Sequence, residues 1–521
     1  MPQRVDWCAL AILALALALR LYRIDVPFVD AHSWRQVTNA DIARIWTEGP
    51  IDFFYPTVSW GGAEGRVGLE FPLLHVLIAW AWRVVGVSDS AGRFVPVAFS
   101  VLGVWWTYRL GTRLFGAPAG RATSFLMAVS PTVVYFGRTP LSDTPMLAFS
   151  VAAVLGYVAY AQTGLARYAF WGALGLALAG LVKLPAVLVL GPVIWTGLAA
   201  RGLRRTLVDP WYVAAPLAAI GVVGLWYLHA DQVYLETGLT QAVFRPSGTY
   251  NGELTHLGGV FKTVSHWTNR SNLTWDTARE MAVRYYTLHL TPVFALAALG
   301  GLLSRHWPWR TRSVVDIWAL ASFSLVAVSL QGQIFHEFHQ LPTLPPLALY
   351  VGMSLAPLFD AATYARFGRA SLGLMATAAL ALLGFGLGGF RNSGAIEHLY
   401  RPDLMNQSLI DAGWAIDAVT PKDALVVTIE YEAYGTNSPM VLYFAHRRGW
   451  SFDKTSISPA LIDYLRSRSG ACYLVAGEWP QVERGRPDVV DYLKAYKRIE
   501  LPYTAPGYQL FDLGCPAVAR P

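Results

Sequence analysis

"EFPLLHVLIAWAWRVVG", residues 70–86, decides how the rest of the chain is laid out. It is apolar enough to tempt a transmembrane reading, yet it carries Glu70, His75 and Arg83. Counted as a span, it would reverse the side of everything that follows. Outside it, apolar runs near 7–22, 93–114, 120–137, 145–162, 168–182, 184–199, 211–229, 290–304, 315–333, 341–358 and 371–390 predict about eleven helices at the ~20 residues a bilayer needs. The basic loops break the tie. With 70–86 left out, Arg4, "RLGTRLFGAPAGR" (109–121), "ARGLRRTL" (200–207), "SRHWPWRTR" (304–312) and "YARFGR" (364–369) share one side. They are rich in arginine and poor in acid, as cytoplasmic loops are. Residues 70–86 are therefore expected to be an interfacial amphipathic helix.

The composition agrees. Of 521 residues 54% are hydrophobic and 14% charged, against about 25% charged in soluble domains, and the mean hydropathy is +0.37. The 20 Trp and 25 Tyr suit interfacial belts. A net charge of +7 lies mainly in short loops between apolar runs, which speaks against nucleic acid as a partner. "WCALAILALALALRLY" lacks a small-residue cleavage site and reads as a retained helix. The fold expected is a polytopic α-helical membrane protein, the N-terminus cytoplasmic, in the inner (plasma) membrane of a bacterium.

The outward segments then include 23–92, "GRTPLSDTP", 230–289, "HEFHQLP" and the C-terminus. We divide the chain into a transmembrane catalytic part, 1–390, and an extracytoplasmic α/β domain, 391–521. In the latter "ALVVTIEY", "ACYLVAG" and "YQLFDLG" read as strands, and "PALIDYLRSRSG" and "VVDYLKAYKRI" as helices. Of the three cysteines, Cys472 and Cys515 fall there, as a disulfide or as two free thiols; neither CxxC nor Cys/His metal spacing occurs.

The unusual polar residues all fall on the outward side. Asp30, in "DAHSWRQ" (30–36), and Asp143, in "RTPLSDTP", suit a general base and an orienter of an acceptor group; for Asp143 the plain alternative is a helix cap. Arg35, Arg138 and Lys183 suit phosphate, arginine as a fork and lysine as a point charge. Lys183, in "LVKLPA", sits at a turn between apolar helices, where an ionisable group is a functional candidate or else snorkels to headgroups. His336, His339 and Gln340 in "HEFHQLP" suit substrate contact; as metal ligands they are too sparse, and a plain interfacial histidine pair is the alternative. No Walker A, GxSxG, or GxGxxG after a strand is present.

These features together resemble GT-C class glycosyltransferases, closest to family 39: protein O-mannosyltransferases and the lipid A aminoarabinose transferase. The likeness rests on the early first-loop acid, on "EFPLLH", on residues 93–145 ("RFVPVAFSVLG…GRTPLSDTP") and on "HEFHQLPTLPPLAL" (336–349), and it covers roughly 5–390. It implies a polyprenyl-phosphate-sugar donor, a lipid, glycan or protein acceptor, and inverting transfer on the extracytoplasmic face. By that resemblance Asp30 is the base or acceptor orienter, Asp143 the second acid, and Glu70 the acid opening the interfacial helix. Two positions depart from the pattern: Ala31 follows Asp30 where relatives have Glu, and Phe71 follows Glu70 where some have Lys. Arg35, Arg138 or Lys183 would supply the missing charge. No cofactor is indicated, although a divalent cation held by Asp30, Glu70 and Asp143 as hard oxygen ligands stays open. A transporter or flippase of a polyprenyl-linked precursor is the alternative, but no repeat relates the halves and the polar clusters avoid mid-span positions.

Overall fold

The computed structural model describes residues 5–240, 249–250, 253–254, 274–328, 333, 336–360, 399–400, 404–430, 438–502 and 507–515. The expected span at 371–390 lies outside them. The chain divides into two compact units: Met1–Asp25, Arg93–Trp226 and Lys262–Arg401 make the first, and Val26–Gly92, Tyr227–Phe261 and Pro402–Pro521 the second.

The first unit is helical. Among the described residues four helices are long and apolar enough to cross a membrane: Asp143–Thr163, Leu184–Arg201, Ala214–Thr237 and Glu337–Phe359. The pair Trp275–His289 and Thr291–Leu303, bent by 105°, would make a fifth. Trp7–Leu21 and Ala166–Val182 are apolar but shorter. Asp143–Thr163 and Ala166–Val182 form a close hairpin joined at Gly164, which takes the left-handed conformation (φ 71°) open to glycine. A Cβ on Gly156 would stand 2.6 Å from Gly172 Cα, so the two backbones meet as small-residue helix pairs do.

The run expected at 120–137 as one helix is broken into Ala117–Val129 and Pro131–Phe136. Pro131 has no N–H to give to the preceding turn, and the break leaves carbonyls without helical partners. Arg20, wholly buried in helix Trp7–Leu21, collects them. Its guanidinium donates to Met127 O (3.1 Å), Ala128 O (3.1 Å) and Val133 O (3.4 Å), and to Ser100 Oγ (2.6 Å). Arg20→Ala should leave several of these acceptors dry and cost on the order of 3 kcal/mol, read as a drop of several degrees in the unfolding midpoint of the purified protein.

The second unit is built on a mixed five-stranded sheet: β1 (Leu425–Glu430), β2 (Arg448–Asp453), β3 (Ala471–Ala476), β4 (Lys497–Ile499) and β5 (Gln509–Asp512). The order is β2–β1–β3–β5–β4, with β1 parallel to β2 and β3, and β5 antiparallel to β3 and β4. Its core gathers Val427, Phe452, Leu461, Leu474, Val489 and Phe511. The three expected strands and helix Pro459–Ser469 are present. Two features differ from expectation. "RGWSFD" is a strand, its charged ends masking five buried positions. "VVDYLKAYKRI" is a helix only to Leu493, and its basic end is β4. Cys472 and Cys515 are joined as a disulfide.

At the end of β1, Glu430 is 3% exposed. Its carboxyl accepts from Ser438 Oγ, Val441 N and Thr428 Oγ1. Burial outweighs these bonds and pushes it from 4.5 up to about 7. Between those two values the unfolded chain loses this proton and the folded one keeps it. The unit therefore loses stability as pH rises through that window, by at most about 3 kcal/mol, and no further above it. Glu430→Gln, neutral at every pH, should melt higher than wild type at pH about 8 and match it near pH 4.5, by calorimetry at the two values.

Candidate functional site

In the first unit the structure brings Asp143 and Lys183 together. Asp143 is the first residue of its helix, and Ser142 occupies the cap without a side-chain bond. The carboxylate is thus not spent on capping. Lys183 ends helix Ala166–Val182 in an extended conformation (φ −160°), and Pro185 helps turn the following residues into a 3-10 segment, Leu184–Val189. The break aims Lys183 Nζ at both Asp143 oxygens, at 2.7 and 2.6 Å. The side chains are 13% and 3% exposed, so neither charge is left to water.

The ammonium also lies 4.9 Å from the Phe338 ring centroid, a cation–π distance. "HEFHQLP" forms a 3-10 segment, Glu337–Thr343. His336 stacks on Phe338 at 5.0 Å, His339 meets it edge-on at 4.6 Å, and the two imidazoles are 5.4 Å apart. His336 and His339 are therefore an aromatic group around Phe338, beside the ion pair. Gln340 faces a different set. Its Oε1 accepts from His289 Nε2 (2.5 Å), its Nε2 donates to Gln333 O (2.8 Å), and Thr132 Oγ1 donates to His289 Nδ1 (2.8 Å). This directional chain fixes the imidazole tautomer and anchors the segment. Arg138, fully buried, donates to Arg23 O (2.9 Å) and lies 5.3 and 4.6 Å from the Tyr135 and Tyr400 rings.

The other sequence-predicted residues belong to the second unit. Asp30 is 2% exposed, and its Oδ1 accepts from Gln36 Nε2 (2.7 Å), which also bonds Ala31 O (2.8 Å). Gln36 comes from helix Ser33–Glu48, entered through His32 in the left-handed region (φ 59°). Arg35 lies 5.2 Å over the Trp34 ring. Glu70, partly buried, stands just before helix Leu73–Val85, the segment expected to be interfacial. On that helix His75 is bonded to Asn39 (3.1 Å) and pushed by burial down to about 4, hence neutral.

Among the described residues no three His, Cys, Asp or Glu side chains gather as a metal ion would require. Asp30 and Glu70 belong to the second unit and Asp143 to the first, where Lys183 takes up both oxygens of Asp143. Sequence reasoning passed over Phe338 and His289, and it did not see Gln36 as the group orienting Asp30. The i, i+6 placement of Gln36 could have been found; the lysine–phenylalanine contact, spanning distant segments, could not.

Residues 70–227 match the dolichyl-phosphate-mannose-protein mannosyltransferase family. No curated protein matches the chain by sequence. Among solved structures it is similar to ArnT from Cupriavidus metallidurans bound to undecaprenyl phosphate, at 13% identity and TM-score 0.61, covering 96% of this chain and 97% of that one. It is also similar to the oligosaccharyltransferase AglB from Archaeoglobus fulgidus in complex with an inhibitory peptide and a dolichol-phosphate, at 14% identity and TM-score 0.57, covering 95% and 72%. At such identities the likeness is one of fold.

Proposed function

We propose that this chain, GT-C-like in fold and family 39-like over residues 70–227, is an integral-membrane glycosyltransferase moving a sugar from a polyprenyl-phosphate donor to an acceptor. Transfer would take place on the extracytoplasmic face of the plasma membrane. The observation that carries this proposal is the buried Asp143–Lys183 pair under Phe338, within the stretch that matches the family. An ammonium held in apolar surroundings is costly even when paired, which marks it as a functional candidate. Its partner keeps it aimed until a phosphate competes for it.

The chemistry divides as follows. Asp30 takes the proton of the acceptor hydroxyl, held for this by Gln36. The acceptor oxygen attacks the anomeric carbon from the face opposite the phosphate, inverting it. Lys183, with Arg138 and Arg35 as further cations, stabilises charge on the leaving lipid phosphate. Asp143 orients Lys183. Sugars linked to the lipids named with the two similar structures, undecaprenyl phosphate and a dolichol-phosphate, are the donors to try first.

The test uses detergent-purified protein, radiolabelled polyprenyl-phosphate sugars and a membrane extract as acceptor. Sugar leaving the lipid with stoichiometric release of polyprenyl phosphate is the expected result. Lipid moved between leaflets of vesicles, with no cleavage on any donor, would overturn it in favour of a flippase.

A further inference from the structure

From the contacts within the second unit we infer that the C-terminal α/β domain is a clamp that sets the orientation of the Asp30 loop, with Arg44 as its principal positioning residue. The inference rests on the role proposed for Asp30.

The sheet would end at β2, an edge strand with open backbone groups. The first loop covers it. Residues 56–67 turn back on themselves, Val58 N donating to Gly65 O (2.9 Å) and Val67 N to Pro56 O (2.9 Å). The turn docks on β2 as a short added strand. Gly61 pairs with Trp450, Gly62 N donates to Gly449 O (2.7 Å), Gly449 N to Ser59 O (2.8 Å), and Arg448 Nη1 to Ala63 O (2.8 Å). Such strand addition takes its strength from the main chain. Gly62 is required at the crossing: it has φ 81°, and a Cβ there would stand 2.9 Å from the Trp450 ring.

A second tie runs through helix Ser33–Glu48. Asp41, wholly buried, accepts Ser59 N on one oxygen (2.7 Å) and Arg44 Nη2 on the other (3.1 Å). Arg44 then donates Nη1 to Tyr443 O (3.0 Å), with its guanidinium 5.1 Å over that ring. Tyr443 lies in helix Met440–Phe444, which joins the β1 and β2 segments. Helix, hairpin, edge strand and this second helix thus close a ring of contacts. About two turns before Arg44 on the same rigid helix, Gln36 holds Asp30. A tilt of that helix would move the carboxylate directly.

The clamp is tested with Gly62→Val, which blocks the added strand, and Arg44→Lys, which keeps a charge but loses the fork. Both should lower kcat about 10- to 100-fold, the cost of misplacing a reacting group by about 1 Å, with donor KM changed less than about threefold. Hydrogen exchange should rise in 33–48 and 57–67 while β1 and β3 keep their protection, which separates the effect from misfolding. Lys494→Ala, on an exposed ion pair, should leave kcat unchanged. Asp30→Asn is run beside them. If it is inactive while both clamp variants keep wild-type kcat, the inference is overturned alone. If Asp30→Asn is fully active, the role of Asp30 fails and takes the inference with it.

Discussion

Asp30→Asn should lower kcat by roughly 10²- to 10⁴-fold, the range for removing a positioned general base, with little change in donor KM. The amide nearly matches the carboxylate in shape and can still accept the bond that Gln36 Nε2 gives to Oδ1. What it loses is the capacity to take a proton. The change therefore separates chemistry from packing, where Asp30→Ala at a position 2% exposed would not. Steady-state transfer measured against donor concentration checks it. A fall confined to KM would move Asp30 from proton transfer to donor binding, and wild-type kinetics would remove it from the site.

Lys183→Met should cost about 10²- to 10³-fold in kcat, comparable to deleting one preorganised donor from a charge-stabilising site. Methionine keeps the length and the contact with Phe338 and removes only the charge. It also strands Asp143, which sits 3% exposed with its ammonium partner gone. The single change therefore mixes lost phosphate stabilisation with a buried, unpaired carboxylate, and stability should fall too. The double variant Lys183→Met/Asp143→Asn resolves this. It should recover most of the stability and almost none of the rate, giving a strong coupling in the melting midpoint and a weak one in kcat. Recovery of both would make the pair a structural tie and nothing more.

Why these residues were legible from sequence, and others were not, has a physical basis. Lys183 and Asp143 stood out because charge at the border of an apolar run is expensive, and that cost is visible in one dimension. Helix existence was legible for the same reason, since apolar runs must be buried. Breaks were less so: Pro131 interrupts a run that hydropathy alone reads as continuous. The strand β2 was missed because a mixed sheet buries both faces of "RGWSFD" beneath neighbours that supply the apolar surroundings. The Phe338 contact and the Arg44–Tyr443 bond join segments far apart in the chain, and no local pattern announces them.

The hairpin seated on β2 also bears on how the protein comes into being. Its bond from Arg448 to Ala63 spans 385 residues. At about 5–20 residues per second, that separation is on the order of 20–80 s of synthesis. During that time the segment around Asp30, made long before β2, lacks the surface it will rest on. A chain halted before β2 would carry the early carboxylate without its support. Under the role proposed for Asp30, competence thus waits on the synthesis of β2, 385 residues after the hairpin it supports.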